Sequence, residues 1–300
     1  MQLTHSTWPE VEAYLQRSTA IVVPMGATEQ HGREGLIGTD AFTAEAVARG
    51  LGDAAGVMVG PTLALAVAQF NLGFAGTIAL RASTVMAIVE DYVRSLAHHG
   101  FRHVYFLNGH GANIAPACAA FQDIYRDWSL GARSGAPPRC RLRSWWEFAE
   151  VDTLRRQWYG DAEGLHATPS EIAITLHVVP GARPNGAVDP APVDAAFRRD
   201  HGGENHWDAA THRGVFPMAT WVPTPRWPRR TRAQPCSPRP SEAPTTTSSS
   251  LCTNRDATPR HHLVQPQRPA RQELCRACTG GGHASRLPGL LPARPARSRP

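Results

Sequence analysis

Ala20-Ile-Val-Val-Pro-Met-Gly-Ala-Thr-Glu-Gln-His-Gly32 joins an unbroken apolar run to a polar turn bounded by glycines. Residues 20–25 read as a strand covered on both faces, because a parallel strand between two helix layers has no polar side to show. Glu29 and His31 follow two residues apart, so on extended backbone their side chains share one side. Gly26 and Gly32 let the chain pass closely around whatever those two groups hold. A carboxylate and an imidazole at a strand's carboxyl end sit where open α/β sheets keep their chemistry.

Further along, strands and helices alternate. Thr39 is expected to cap a helix running to about residue 52, with Phe42, Ala46 and Ala48 on its inner side. Val57–Val59 reads as a short strand. Residues 63–74 are apolar except for Gln69 and Asn71, which suggests a strand followed by an active-site loop. Ser83 is expected to cap a helix over about 84–99, where Val85, Ile88, Val89, Tyr92, Val93 and Leu96 recur at helical spacing and Gly100 closes the end. His103–Leu107 forms a strand, a helix follows over about 114–128 with Pro116 tolerated in its first turn, and Arg141–Phe148 forms another strand. Residues 171–179 fit a strand or a helix. The order predicts an α/β fold, a three-layer α/β/α sandwich around a mostly parallel sheet.

Composition divides the chain near residue 217. Net charge is +6 overall, yet residues 221–300 hold 14 Arg and three acids, so the preceding 220 residues are net acidic. The basic balance therefore belongs to the tail and does not imply a nucleic-acid surface on the folded part. Residues 221–300 also hold 14 Pro and show no apolar periodicity, which predicts a disordered Arg/Pro-rich segment over 218–300. With suitable codons, residues 217–228 read one register over give Asp-Gly-Asp-Met-Gly-Ser-Asp-Pro-Ser-Leu-Ala. That sequence is a sensible loop into a helix cap, so the tail is expected to be frame-shifted; a genuine disordered tail is the alternative. Residues 1–217 then form the catalytic domain. No long apolar run implies a membrane span or a leader, and only Cys118 and Cys140 precede residue 220, which points to the cytoplasm.

Three groups of residues carry the chemistry. The first is Glu29 and His31 with Asp40, which follows Thr39 and can bridge two cations from a helix end. The second is His110, in Asn108-Gly-His-Gly-Ala-Asn113, with Asn108 and Asn113 bracing the turn. The third is His166 and Glu171, in Leu165-His-Ala-Thr-Pro-Ser-Glu171. Mixed carboxylate and imidazole ligands suit Zn²⁺, Mn²⁺ or Fe²⁺ better than Ca²⁺. Each group also has a plainer explanation. Glu-x-His can be a polar loop, His110 can pack a tight turn, and Thr168 or Ser170 can cap a helix with Glu171 in its first turn. Trp145 and Trp146 fit either a pocket wall or the core. His201-Gly-Gly-Glu-Asn-His206 reads as a surface loop, and Cys275-x-x-Cys278 lacks the second pair a zinc ribbon needs.

Taken together, Gly26-Ala-Thr-Glu-Gln-His-Gly32 with Thr39-Asp40, Phe106-Leu-Asn-Gly-His-Gly-Ala-Asn113 and Gly164-Leu-His-Ala-Thr-Pro-Ser-Glu171 resemble the three motifs of the creatininase (creatinine amidohydrolase) family. The resemblance covers about residues 1–217. It implies two divalent metal ions, zinc first, with manganese or iron as alternatives. Glu29, Asp40 and His110 would hold one ion; His31, Asp40 and Glu171 would hold the other; His166 would shuttle protons. It implies a homohexameric amidohydrolase that uses metal-activated water to cleave a C–N bond in a small amide, cyclic amide or formamide, with no membrane or nucleic-acid partner. Creatininase itself has a metal-binding carboxylate where Ala112 stands, so Glu171 would have to replace it. The family's closing helix is not legible after residue 217. Two alternatives follow: an inactive or regulatory protein of the same fold, and a peptidase that processes a cofactor precursor peptide.

Overall fold

The computed structural model describes residues 1–179, 181 and 208–217. Four strands lie in the order β2-β1-β3-β4: β1 (Ala20–Met25), β2 (Met58–Val59), β3 (His103–Asn108) and β4 (Arg139–Ser144). All three pairings are parallel, with Ile21 beside Met58, Val22 beside Tyr105 and Phe106 beside Leu142.

Alternation along the strands sorts side chains into two cores. Ile21, Val23, Met25, Val104 and Phe106 face α3 (Ala82–His98) and α4 (Ile114–Ser129), where Val89, Val93, Ala120 and Ile124 meet them. Ala20, Val22, Tyr105 and Leu107 face the other way, toward Val47 of α2 (Thr39–Ala55), Val151 of α5 (Ala149–Tyr159) and Ile174 of α6 (Pro169–Val178). β1, and β3 from Val104 to Leu107, are therefore without a polar face because each is covered on both sides, which is the three-layer arrangement. A first helix, α1 (Trp8–Leu15), buries Tyr14, whose hydroxyl donates to Ala20 O at 2.6 Å. The last described helix is α7 (Ala209–Val215).

The chain leaves β1 toward β2 by way of α2, then returns past β1 to β3 by way of α3 on the opposite face. The direction of winding thus reverses between β1 and β3. In open α/β sheets the crevice beyond the strand ends at such a point is the usual ligand site.

Several local expectations need correcting. Thr39 lies inside α2, not at its cap; Gly38 is the N-cap, and the Thr39 hydroxyl is buried without a hydrogen bond. Phe42 and Ala46 are half-buried, and the inner side of α2 is instead Ala41, Thr43, Ala44, Val47 and Ala48. α3 starts at Ala82 behind Arg81, and Ser83 is an exposed residue of its first turn. The last expected strand stops at Ser144, where a Ser144–Glu147 capping box starts a short 3-10 turn through Trp145 and Trp146. Residues 63–74 make isolated bridges (Leu63 to Met25, Ala66 to Ala79) and a 3-10 turn, Gln69–Gly73, rather than a strand. Residues 171–178 are helical. The loop at 201–206 and the segment 218–300 fall outside the described residues. No helix among the described residues is long and apolar enough to cross a membrane.

Candidate metal centre

Two glycines bring the site together. At Gly26, just past β1, an added Cβ would lie 2.5 Å from Asp40 C and 2.6 Å from Ala41 Cα. At Gly109, just past β3, it would strike the Asp40 carbonyl oxygen. Without a side chain at either position, the first turn of α2 rests directly on both strand ends. Asp40 therefore projects between the loop after β1 and the loop after β3.

The groups that Asp40 meets are buried. Asp40 Oδ1 is 2.8 Å from His31 Nε2, and Oδ2 is 3.1 Å from His110 Nδ1. His110 Nδ1 is also 3.3 Å from Glu29 Oε1. Glu29, His31 and Asp40 are 0%, 1% and 2% exposed, so unpaired charge there would be costly. Potential ligand atoms of Glu29, Asp40 and His110 all lie within 4.8 Å of one another, as do those of His31, Asp40 and Glu171. A further trio, Glu29, His31 and His166, meets the same limit.

Backbone carbonyls fix both ring orientations. His110 Nε2–H donates to Val67 O at 2.8 Å, which turns Nδ1 toward the carboxylates. His31 Nδ1–H donates to Glu29 O at 3.2 Å, which turns Nε2 toward Asp40. This is the outer-shell arrangement that fixes the tautomer of a metal-binding histidine. Asn108 and Asn113 hold the turn around His110: Asn108 Oδ1 accepts from His110 N, and Asn113 donates to Gly26 O. Glu171 does two jobs. Its Oε2 accepts from Thr168 N at 2.7 Å in a capping box of α6, while the carboxyl group stays beside His31 and Asp40. Ala167, at φ 53°, is the one described non-glycine residue in the left-handed region, and it turns the chain between His166 and that cap.

Without metal, the protons in this cluster are displaced from their ordinary balance. Burial works against the His31 imidazolium, but Asp40 outweighs it and raises the His31 pKa to about 10. Burial likewise opposes charge on His110, yet Glu29 and Asp40 hold its pKa well above the usual value. Asp40 stays far below the usual carboxylate range because, against burial, His31 and His110 flank it. Burial pushes Glu171 up to about 7, and burial with neighbouring His31 pushes His166 down to about 4. Protons thus stand in for positive charge among three buried carboxylates. Glu29 Oε1 and Asp40 Oδ2 accept no hydrogen bond. Such a donor set fits divalent cations of the zinc or manganese type.

A cavity of about 460 Å³ opens beside the cluster; Trp145, Trp146, Arg155 and Leu165 line it, together with Ala112 and His166. Both options for the tryptophans hold at once for Trp145, which is 1% exposed in the core and also borders the cavity. His166 stands with Nδ1 3.6 Å from Glu29 Oε1 and Nε2 2.9 Å from Gln30 O.

Sequence reasoning missed three participants. Asn71 donates to Glu29 Oε2 at 2.8 Å and accepts from Gln30 Nε2 at 2.6 Å, and Gln30 Nε2 lies 2.9 Å from His166 Nε2. Arg155, on a helix too polar to stand out, reaches the cavity wall. The signal for Asn71 was visible as one of two amides interrupting an apolar run.

Fold and cluster together define the class: a doubly wound α/β protein with a buried carboxylate–imidazole centre suited to two cations. The profile of the creatininase family, described as creatinine amidohydrolase, matches residues 4–224, and the chain belongs to that family. It is 34% identical over 113 residues to a creatinine amidohydrolase of Pseudomonas putida, covering 36% of this chain and 44% of that one. It is 28% identical over 189 residues to a mycofactocin precursor peptide peptidase of Mycobacterium ulcerans (strain Agy99), covering 58% of this chain and 60% of that one. The matched parts thus span about half the length of these relatives. A crystal structure of creatinine amidohydrolase (creatininase) aligns at TM-score 0.65 and 19% identity, over 93% of this chain and 94% of that chain, which speaks for the fold.

Proposed function

We propose that the protein is a two-metal amidohydrolase cleaving a C–N bond. One observation carries it: two ligand trios share Asp40, and Glu29 Oε1 and Asp40 Oδ2 are buried without a hydrogen bond, facing only histidine nitrogens. Glu29, Asp40 and His110 would hold one divalent ion and His31, Asp40 and Glu171 the other. Zinc is the first candidate and manganese the second, as solved creatininase forms include a Zn–Zn type and a manganese form. When bound, two such ions supply a water acidic enough to be a nucleophile at neutral pH and a counter-charge for a carbonyl oxygen.

The chain's own residues do the rest. Backbone carbonyls of Val67 and Glu29 hold His110 and His31 in ligating orientation. His166 lines the cavity as a neutral imidazole, ready to take a proton and return it to a leaving nitrogen. Trp145, Trp146 and Leu165 keep one wall apolar and limit water around the substrate. A cytoplasmic homohexamer belongs to the same proposal.

A second reading, a peptidase, is favoured by the longer match to the precursor-peptide peptidase and by Ala112 on the cavity wall. A zinc-loaded sample assayed in parallel on creatinine, small formamides and short peptides separates the two. Turnover of at least one class is expected, to be lost together with metal content in a His110→Ala, Glu171→Ala double variant. Full metal content and full turnover in that variant would refute the assignment.

A further inference from the structure

Arg155 lies on α5, one face of which is core, and it lines the cavity. It is held, but not used up. Nε donates to Glu163 Oε1 at 2.7 Å, and Nη1 makes a long contact of 3.5 Å with Trp146 O. A guanidinium offers five N–H donors. Among the described residues nothing accepts from Nη2, although the side chain is only 15% exposed. The guanidinium carbon lies over the Trp145 ring, 5.6 Å from its centre. Glu163 is engaged elsewhere too, since Ser170 Oγ donates to the same oxygen.

The charge around the cavity points the same way. Glu29, Asp40 and Glu171 carry three negative charges against four positive on two divalent ions, and the Arg155–Glu163 pair adds none. The loaded cavity would hold surplus positive charge facing an apolar wall. A planar guanidinium with an uncommitted terminal nitrogen, on a residue that lines the cavity, matches a carboxylate in shape and charge.

We propose that Arg155 anchors a carboxylate on the substrate, so that the site takes amides of the N-acyl amino acid or peptide-terminus kind in preference to uncharged amides. The anchor rests on the hydrolase reading above and narrows its substrate class. Glu163 holds Arg155 in place through Nε, leaving Nη2 for the ligand.

The test uses zinc-loaded protein and two probes differing only in charge, N-acetyl-phenylalanine and N-acetyl-phenylalaninamide. Their dissociation constants are measured by calorimetry, with zinc content determined on the same samples. Wild type is expected to favour the acid by about tenfold or more, a typical return for a charge-assisted pair. Arg155→Met should bring that ratio below about twofold, and Arg155→Lys should leave an intermediate value. Glu163→Gln, which removes a neighbouring anion but keeps the guanidinium, should preserve or increase it. A brace with no ligand role would lower affinity for both probes alike in Arg155→Met and Glu163→Gln and leave the ratio unchanged. A wild-type ratio near one, no binding of either probe to zinc-loaded protein, or an unchanged ratio in Arg155→Met (the acid sitting on zinc alone) would each overturn the anchor while the hydrolase reading stands. Absence of zinc from wild type would instead remove the reading beneath it.

Discussion

Gly26→Ala adds one methyl group and should damage the metal centre more than the fold. The new Cβ would lie 2.5 Å from Asp40 C and 2.6 Å from Ala41 Cα, where ordinary contact begins at 3.4 Å. The obstacles are backbone atoms, so no side chain can swing aside. Ala41 N is closer still, so relief requires the first turn of α2 to retreat by roughly 1 Å, or β1 to yield by as much, with an overpacking cost of about 1–3 kcal/mol. Metal ligands must hold their distances to about 0.2 Å, so a carboxylate moved that far no longer serves two trios. Zinc affinity should fall by about 10- to 100-fold, the range seen when a ligand's support is lost. Gly111→Ala is the internal control, in the next motif but with nothing within 4 Å of its added Cβ, and should behave as wild type. Competition against a chromophoric chelator reads affinity, and urea unfolding reads stability. Wild-type zinc affinity in Gly26→Ala would refute the claim that α2 positions the bridging carboxylate.

Other substitutions probe other links. His166→Ala should keep both metal ions while turnover falls by about 10²- to 10⁴-fold; loss of one ion would make His166 a ligand in the Glu29–His31–His166 trio instead. Asn71→Leu removes the donor to Glu29 Oε2 and should weaken zinc binding by about tenfold with little change in fold, measured by the same chelator assay. His31 and His110 are both protonated near neutrality without metal and Glu171, with a pKa of about 7, is partly so, so zinc binding should expel between about two and three protons, read from calorimetry in buffers of differing ionisation enthalpy. The sign of the pH effect on metal-free protein follows from His31, whose pKa rises from 6.5 unfolded to about 10 folded. Its contribution is fully present below 6.5 and lost as pH rises through 10, so metal-free protein should melt lower at pH 9 than at pH 6, and zinc should remove the difference.

What the sequence revealed, and what it hid, follows from how each signal is encoded. β1, β3, α3 and α4 are buried on regular faces, so their apolar spacing is direct evidence of packing. Glu29, His31 and His110 lie in glycine-bearing turns just past β1 and β3, Asp40 and Glu171 in the first turns of α2 and α6, and with His166 they meet in one cluster. Caps were harder. Thr39 and Ser83 have the right chemistry, but α2 begins one residue and α3 two residues earlier than those candidate caps require, with Gly38 and Arg81 at the N-cap positions. Asn71, Gln30 and Arg155 stayed hidden because their partners lie 41, 136 or more positions away, or across a helix, where no local pattern registers. The α5 helix is polar on most of its surface and anchors through Val151, which leaves little periodicity to detect. The family match ends at residue 224, inside the stretch where composition changes.

Zinc-soaked crystals and an anomalous difference map would test the two-ion centre most directly. Two peaks are expected, one among Glu29, Asp40 and His110 and one among His31, Asp40 and Glu171, with the Asp40 carboxylate touching both. A single peak, or a second one held by His166 and not by Glu171, would contradict it.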